Sequence, residues 1–230
     1  MMNKYLIRRV CSCAKAYAGL ENLNRRAAKL ADRPKELLTE CFSFADAFLK
    51  PIQVPEELAC LLEDVINLKP RTVLEIGTFR GGTLYLWTRL AQPQAKIVSV
   101  DLPGGKFGGG YSRLKTPLFR RFARDRQTLH LLRANSHDEA TLETVRRLFG
   151  DSEIDFLFID GDHTYEGVKR DWEMYSTLVR KGGMIAFHDV AGNYGETQVK
   201  RYWDCIKNGY AHREYLAHSE SLYGIGVLFK

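Results

Sequence analysis

Polar and apolar residues alternate along this chain with two different periods. Over residues 4–31, Leu6, Val10, Cys13, Tyr17, Leu20, Ala27 and Leu30 recur at steps of three, four or seven, which predicts a long amphipathic helix with basic residues on much of its other face. A second helical stretch is expected over 35–49. A third is expected from Pro55 to Leu68, where proline and two glutamates suit the first turn. Beyond Leu68 the pattern changes. Short β-branched runs at 72–76, 96–100, 129–133, 154–159 and 184–188 read as strands. Helical stretches near 82–91, 112–124, 138–149, 165–180 and 196–207 separate and follow them. Five strands alternating with helices predict an α/β fold built on a parallel sheet covered on both faces. The tail has no intervening helix: His212–His218 and Tyr223–Lys230 are expected to form an antiparallel hairpin, giving a seven-stranded, mostly parallel, Rossmann-like sheet.

At 230 residues the chain fits one domain with an extension. The expected division is a helical extension over 1–52, serving oligomerisation or acceptor cover, and a cofactor-binding domain over 53–230. No apolar run reaches the roughly 18 residues of a spanning helix, and Lys4, Arg8 and Arg9 interrupt any signal-peptide core. A cytoplasmic location is the expectation. The odd set Cys11, Cys13, Cys41, Cys60 and Cys205 reads as reduced thiols.

Charge is unevenly placed. Residues 1–35 carry nine Lys/Arg against Glu21 and Asp32, and residues 106–133 carry eight against Asp125. Aromatic–basic interleaving of the RNA-binding type is missing, so nucleic acid is not an expected partner. The basic N-terminal helix suits a homo-oligomer contact or an anionic membrane surface, and its alanines and cysteines, in place of Trp or Phe, favour the former.

Thr72 to Thr83 reads as a buried strand, a glycine turn and a helix start. Ligands of doubly wound sheets sit outside the carboxyl ends of the strands, which places Glu75, Gly77, Thr78, Gly81, Gly82 and Thr83 at a nucleotide-type cofactor. The glycine spacing is wrong for the pyrophosphate fingerprint of a dinucleotide site. A carboxylate at Glu75 would repel pyrophosphate yet suit the ammonium of a methionine moiety. The balance favours S-adenosylmethionine over NAD. Asp101 ends the second strand, either taking both ribose hydroxyls or capping a turn. After the third strand, Asn135 and Ser136 offer polar contacts to an adenine, while Ser136 or Asp138 also suits a helix N-cap.

The fourth strand ends at Asp160-Gly-Asp-His163 and the fifth at His188-Asp189, neighbours on the same rim of a parallel sheet. Such carboxylates suit a hard divalent cation, and a nearby histidine suits a ligand or general base; turn caps are the other reading of the two aspartates. Alcohols and phenols need such help, because they attack only once a proton is removed or a metal lowers their pKa. The five glycines at 104, 105, 108, 109 and 110 suggest a lid. Arg113, Lys115, Arg120 and Arg121 beside it suggest an anionic acceptor.

The set Val73-Leu-Glu-Ile-Gly-Thr, Gly81-Gly-Thr, Ile159-Asp-Gly-Asp-His-Thr-Tyr-Glu-Gly167, Lys181-Gly-Gly and Phe187-His-Asp resembles one family of class I S-adenosylmethionine-dependent methyltransferases. That family contains the macrolide-sugar O-methyltransferases and cephalosporin-hydroxylase-like proteins. The similarity covers roughly Gln53 to Lys230, and a parallel sheet closed by a C-terminal hairpin is typical of the class. The resemblance implies a divalent ion, Mg²⁺ or alternatively Mn²⁺, held by Asp160, His188 and Asp189. It implies His163 as base, with Asp160 also among the catalytic and cofactor-binding residues, and a hydroxyl of a sugar or secondary metabolite as acceptor. The layout is also similar to metal-dependent catechol-type enzymes, with His163 where those have a catalytic lysine. One departure stands out: macrolide-type members have two acids where this chain has His188-Asp189, so either an imidazole ligand softens the site or His188 leaves the coordination sphere, as a core histidine would. An NAD(P)-linked or aminopropyl-transfer enzyme and a catalytically inactive accessory subunit remain as alternatives.

Overall fold

The computed structural model describes residues 4–44, 48–108, 110–192, 194–218 and 222–230. Gly109 lies outside the described residues, as do the side chains of Leu6, Val10, Cys11 and Cys13. The helical start comprises α1 (Lys4–Ala27), α2 (Pro34–Ser43) and α3 (Pro55–Leu68). Then come β1 (Thr72–Ile76), α4 (Gly82–Leu90), β2 (Lys96–Val100), α5 (Thr116–Arg120), β3 (Thr128–Leu132), α6 (Glu139–Phe149), β4 (Ile154–Ile159) and α7 (Tyr165–Tyr175). The chain ends with β5 (Val179–His188), α8 (Val199–Ile206), β6 (Ala211–Tyr215) and β7 (Ile225–Phe229).

The seven strands form one sheet in the order β3-β2-β1-β4-β5-β7-β6. The first five are parallel, and β7 runs antiparallel between β5 and β6. Strand order reverses between β1 and β4, and a crevice opens at such a switch point, at the carboxyl ends of the strands. The period-2 alternation of each strand divides the core in two. Val73, Ile97, Phe156, Phe158 and Ala186 face the layer holding α1 to α4. Leu74, Val98, Leu157, Ile185 and Phe187 face α6, α7 and α8. The described half of the α1 stripe is spent inside this chain: Ala16, Leu20, Leu23 and Ala27 are buried in the same cluster as β1 and α4.

Several boundaries differ from the periodicity. The helix expected over 112–124 is a 3-10 turn at Arg113–Lys115 followed by the five residues of α5. The helix expected over 165–180 stops at Tyr175, because β5 begins at Val179 and pairs there with Ile154. Register shifts before Phe156 meets Met184, and the Lys181-Gly182-Gly183 stretch sits in this irregularity, with Gly182 N–H bonded to the Lys230 carbonyl. The hairpin connection is longer than a short turn. Glu57 of α3 holds it by accepting from the amides of Ala217 (2.9 Å) and Gly224 (3.0 Å). Among the described residues, Cys41, Cys60 and Cys205 are free thiols, and no helix is long and apolar enough to cross a membrane.

Candidate active site

A cavity of about 540 Å³ opens at the switch point and runs from the turn after β1 to the ends of β4 and β5. Its nucleotide-side wall starts at Gly77, whose φ is +89°. A Cβ there would lie 1.9 Å from the Asp160 carbonyl oxygen, so only glycine lets β1 and β4 end this close together. Thr78, Gly82 and Thr83 also line the cavity. Gly81 instead serves the frame, capping α4 and packing against Phe119.

Glu75 is placed differently from the expectation. On β1 it shares the parity of Val73, so its side chain points into the α4 layer and not out of the strand end. It is fully buried, accepts from the Trp87 indole (2.8 Å) and pairs with the Thr78 hydroxyl (2.7 Å). Burial pushes its carboxyl up to about 8, against the pull of hydrogen bonds from Thr78, Thr83 and Trp87. A carboxyl sealed behind the turn does not line the cavity. It holds Thr78, which also contacts Ser99 at 2.6 Å.

Asp101 lines the cavity at the end of β2, and burial raises its pKa. Its Oδ1 accepts from the amides of Thr78 (3.1 Å) and Phe79 (3.5 Å), and its Oδ2 from Tyr111 (2.7 Å). A carboxylate has about four acceptor sites, so capacity remains for a hydroxyl. Asn135 and Ser136 line the far end with His137. Asp138 occupies the N-cap position of α6 without a side-chain cap bond. Behind them, His137 Nε2 lies 3.3 Å from the fully buried Asp171, a pair the sequence pattern gave no reason to join.

The chemical end gathers Asp160, His163, His188 and Asp189. His163 Nδ1 lies 2.6 Å from Asp189 Oδ2, and its Nε2 is 3.5 Å from Asp160 Oδ1. His188 Nδ1 is 3.2 Å from both Asp160 Oδ1 and Asp189 Oδ1. Burial alone would lower the pKa of His163, but the contact with Asp189 and the charge of Asp160 outweigh it and raise the net value. The same balance raises His188, and the two histidines hold Asp189 well below the carboxylate range against its own burial. Asp189 adopts a left-handed φ of +65°, which aspartate tolerates better than most side chains. The capping work is done elsewhere: Asp162 accepts from the Thr164 amide, and Thr164 caps α7 by accepting from Gly167.

Aromatic residues missed by the pattern complete this end. Phe107 stacks on His163 at 4.9 Å and 5°, Tyr194 donates to Asp189 Oδ1 (2.8 Å), and Tyr223 stacks on His188. Phe107 sits in the glycine-rich loop, whose Gly105, Lys106, Gly108 and Gly110 also line the cavity, and Lys106 pairs with Glu196. None of Arg113, Lys115, Arg120 and Arg121 lines the cavity. Lys115 lies over Phe48 and Phe119, and Arg121 over Tyr17, so they bind the helical layer together. Among the described residues, the lysines and arginines lining the cavity are Lys50, Arg80 and Lys106.

Comparison with known proteins bears on the family and the fold. Residues 74–190, just over half the chain, match the model of a family described as a methyltransferase domain. An uncharacterised protein, R132 of Acanthamoeba polyphaga mimivirus, is 33% identical over 142 residues, which are 60% of this chain and 62% of the relative. The O-methyltransferase from Bacillus cereus, solved with S-adenosylhomocysteine, superposes with a TM-score of 0.55 at 19% identity, covering 88% of this chain and 96% of that one. TomG, an O-methyltransferase of Streptomyces achromogenes solved with S-adenosylmethionine, gives 0.53 at 17% identity with both chains fully covered. At these identities the two structures show a shared fold.

Proposed function

The chain belongs to the methyltransferase-domain family matched over residues 74–190, and from that premise we propose that it transfers a methyl group from S-adenosylmethionine to a hydroxyl of a sugar or secondary metabolite. The observation that carries the reading is the single cavity linking the Gly77 turn to the His163–Asp189 pair. A cofactor laid along the strand ends would meet Gly77, Thr78, Gly82 and Thr83 at its amino-acid side, Asp101 at its ribose, and Asn135 and Ser136 at its adenine. Glu75 and Gly81 support that wall from behind.

When bound, S-adenosylmethionine supplies a methyl on a sulfonium, whose C–S electron pair passes to sulfur as the acceptor oxygen forms the new C–O bond. The protein must align the acceptor and take its proton. The contacts of His163 support giving it this role. The Nδ1 contact with Asp189 favours the tautomer that leaves Nε2 as the proton acceptor. Phe107 keeps water from one face of the ring.

The donor set fits a divalent cation. The His188 ring nitrogens and Asp189 Oδ2 are buried without an aligned hydrogen bond, and ligand atoms of Asp160, His163 and Asp189 lie within 4.8 Å of one another. Asp160 and Asp189 would hold the ion; the group has His163, and not the expected His188, as its nearby nitrogen, so His163 serves either as a third ligand or as the base beside two carboxylate ligands, and a bound ion would lower the acceptor's pKa. Carboxylates suit Mg²⁺, and the imidazole widens the choice to Mn²⁺, Fe²⁺ or Zn²⁺.

Of the roles expected for residues 1–52, acceptor cover has support, since Lys50, Pro51 and Ile52 line the cavity. An anionic acceptor would meet Lys50 and Arg80. The test is methyl transfer from labelled S-adenosylmethionine to a panel of hydroxylated sugars and phenols. Label in an O-methyl product is expected. Cofactor binding with no transfer to any acceptor would favour the accessory-subunit reading.

A further inference from the structure

Gln53 lies in the connection between α2 and α3, outside the stretch matched by the family model, and none of the site residues anticipated from sequence includes it. It is only 6% exposed and lines the cavity. Its Nε2 donates to Asp160 Oδ2 at 2.6 Å. That bond fixes the amide, because the flipped orientation would press its oxygen against a carboxylate. The other end is left in deficit: Gln53 Oε1 is buried with no hydrogen-bond partner. A buried carbonyl without a donor is costly, so the atom calls for a ligand hydrogen.

Position identifies the donor. The segment carrying Gln53 packs on the start of α4, where a Cβ on Gly82 would meet the Leu49 carbonyl at 2.0 Å and Pro51 at 2.8 Å. Its amide touches Asp160, whose carbonyl abuts Gly77. Gln53 is therefore bracketed by the two glycines that shape the turn, at the end of the cavity where the cofactor's amino-acid portion belongs. The acceptor hydroxyl has one hydrogen, which goes to His163. An ammonium has three. Glu75, the acid expected to receive it, is sealed behind the turn.

We propose that Gln53 Oε1, beside the Asp160 carboxylate, binds the α-ammonium of S-adenosylmethionine. The inference rests on the cofactor reading above and makes Gln53 a binding residue selective for the amino group.

Calorimetry on the full chain tests it, with S-adenosylhomocysteine and its deaminated analogue, which ends in a carboxypropyl thioether. Gln53→Met, which keeps the volume, should weaken S-adenosylhomocysteine roughly tenfold or more and leave the deaminated analogue unchanged. Gln53→Asn, with the oxygen withdrawn by one methylene, should show the same selectivity. Equal losses for both ligands, no loss for either, or failure of both variants to fold would overturn the proposal by making Gln53 purely structural. If the wild type does not bind S-adenosylhomocysteine at all, the cofactor reading itself fails, which separates the two claims.

Discussion

Glu75 and His163 show how far a side chain's parity governs its chemistry. Glu75 is the penultimate residue of a strand that points at the cavity, yet alternation turns its carboxyl into the α4 layer, where burial raises its pKa to about 8. An acid raised on folding stabilises the fold at low pH, and that contribution is lost as pH rises from the unfolded value near 4.5 through about 8. Glu75→Gln keeps an acceptor for Trp87 and removes the titration. Its stability, followed by urea denaturation from about pH 5 to about pH 9, should gain on the wild type as pH rises. Parallel curves would show that Glu75 ionises freely. His163→Ala should lower kcat by about 10²–10⁴, the usual contribution of a general base, while S-adenosylhomocysteine affinity in calorimetry stays unchanged. The residue types at the site were legible because Asp160, His163, His188 and Asp189 end adjacent strands. The direction of Glu75 needed the sheet, and so did Gln53, which comes within 2.6 Å of Asp160 across 107 positions of chain.

At the level of elements, the strand pattern foretold the sheet because buried parallel strands leave dense apolar runs. Helix ends were less legible. Val179 belongs to β5 through a pairing with Ile154 that no local period encodes, and the helix of the 112–124 stretch ends at Arg120, beyond which Phe122 packs on Tyr85 of α4. The α1 stripe was legible as amphipathic, but which surface it covers was not. Leu23→Ala should destabilise the fold by about 2–5 kcal/mol, as for a fully buried leucine, measured by chemical denaturation. A change below about 0.5 kcal/mol, typical of surface sites, would contradict its burial within this chain. Gly82→Ala forces a Cβ onto the Leu49 carbonyl. It should cost about 1–3 kcal/mol, as overpacking does, and weaken S-adenosylhomocysteine by moving the segment that carries Gln53; full retention of affinity would contradict that coupling.

Across the whole molecule, two basic segments suggested an anionic partner, and the fold disperses that signal. Lys115 and Arg121 sit on aromatic rings of the helical layer, while the site itself concentrates carboxylates and imidazoles. Exhaustive chelation should therefore reduce methyl transfer, with recovery on adding Mg²⁺ or Mn²⁺; activity indifferent to chelation would leave His163 and Asp189 as the whole apparatus. On our proposal the switch-point cavity binds S-adenosylmethionine. Calorimetry of the intact chain with S-adenosylhomocysteine and, separately, NAD⁺ tests it most directly. We predict saturable binding of S-adenosylhomocysteine at one site per chain, weakened roughly tenfold or more by Asp101→Ala, and no binding of NAD⁺. Binding of NAD⁺ with no response to S-adenosylhomocysteine would rule out a methyl-donor site in this cavity.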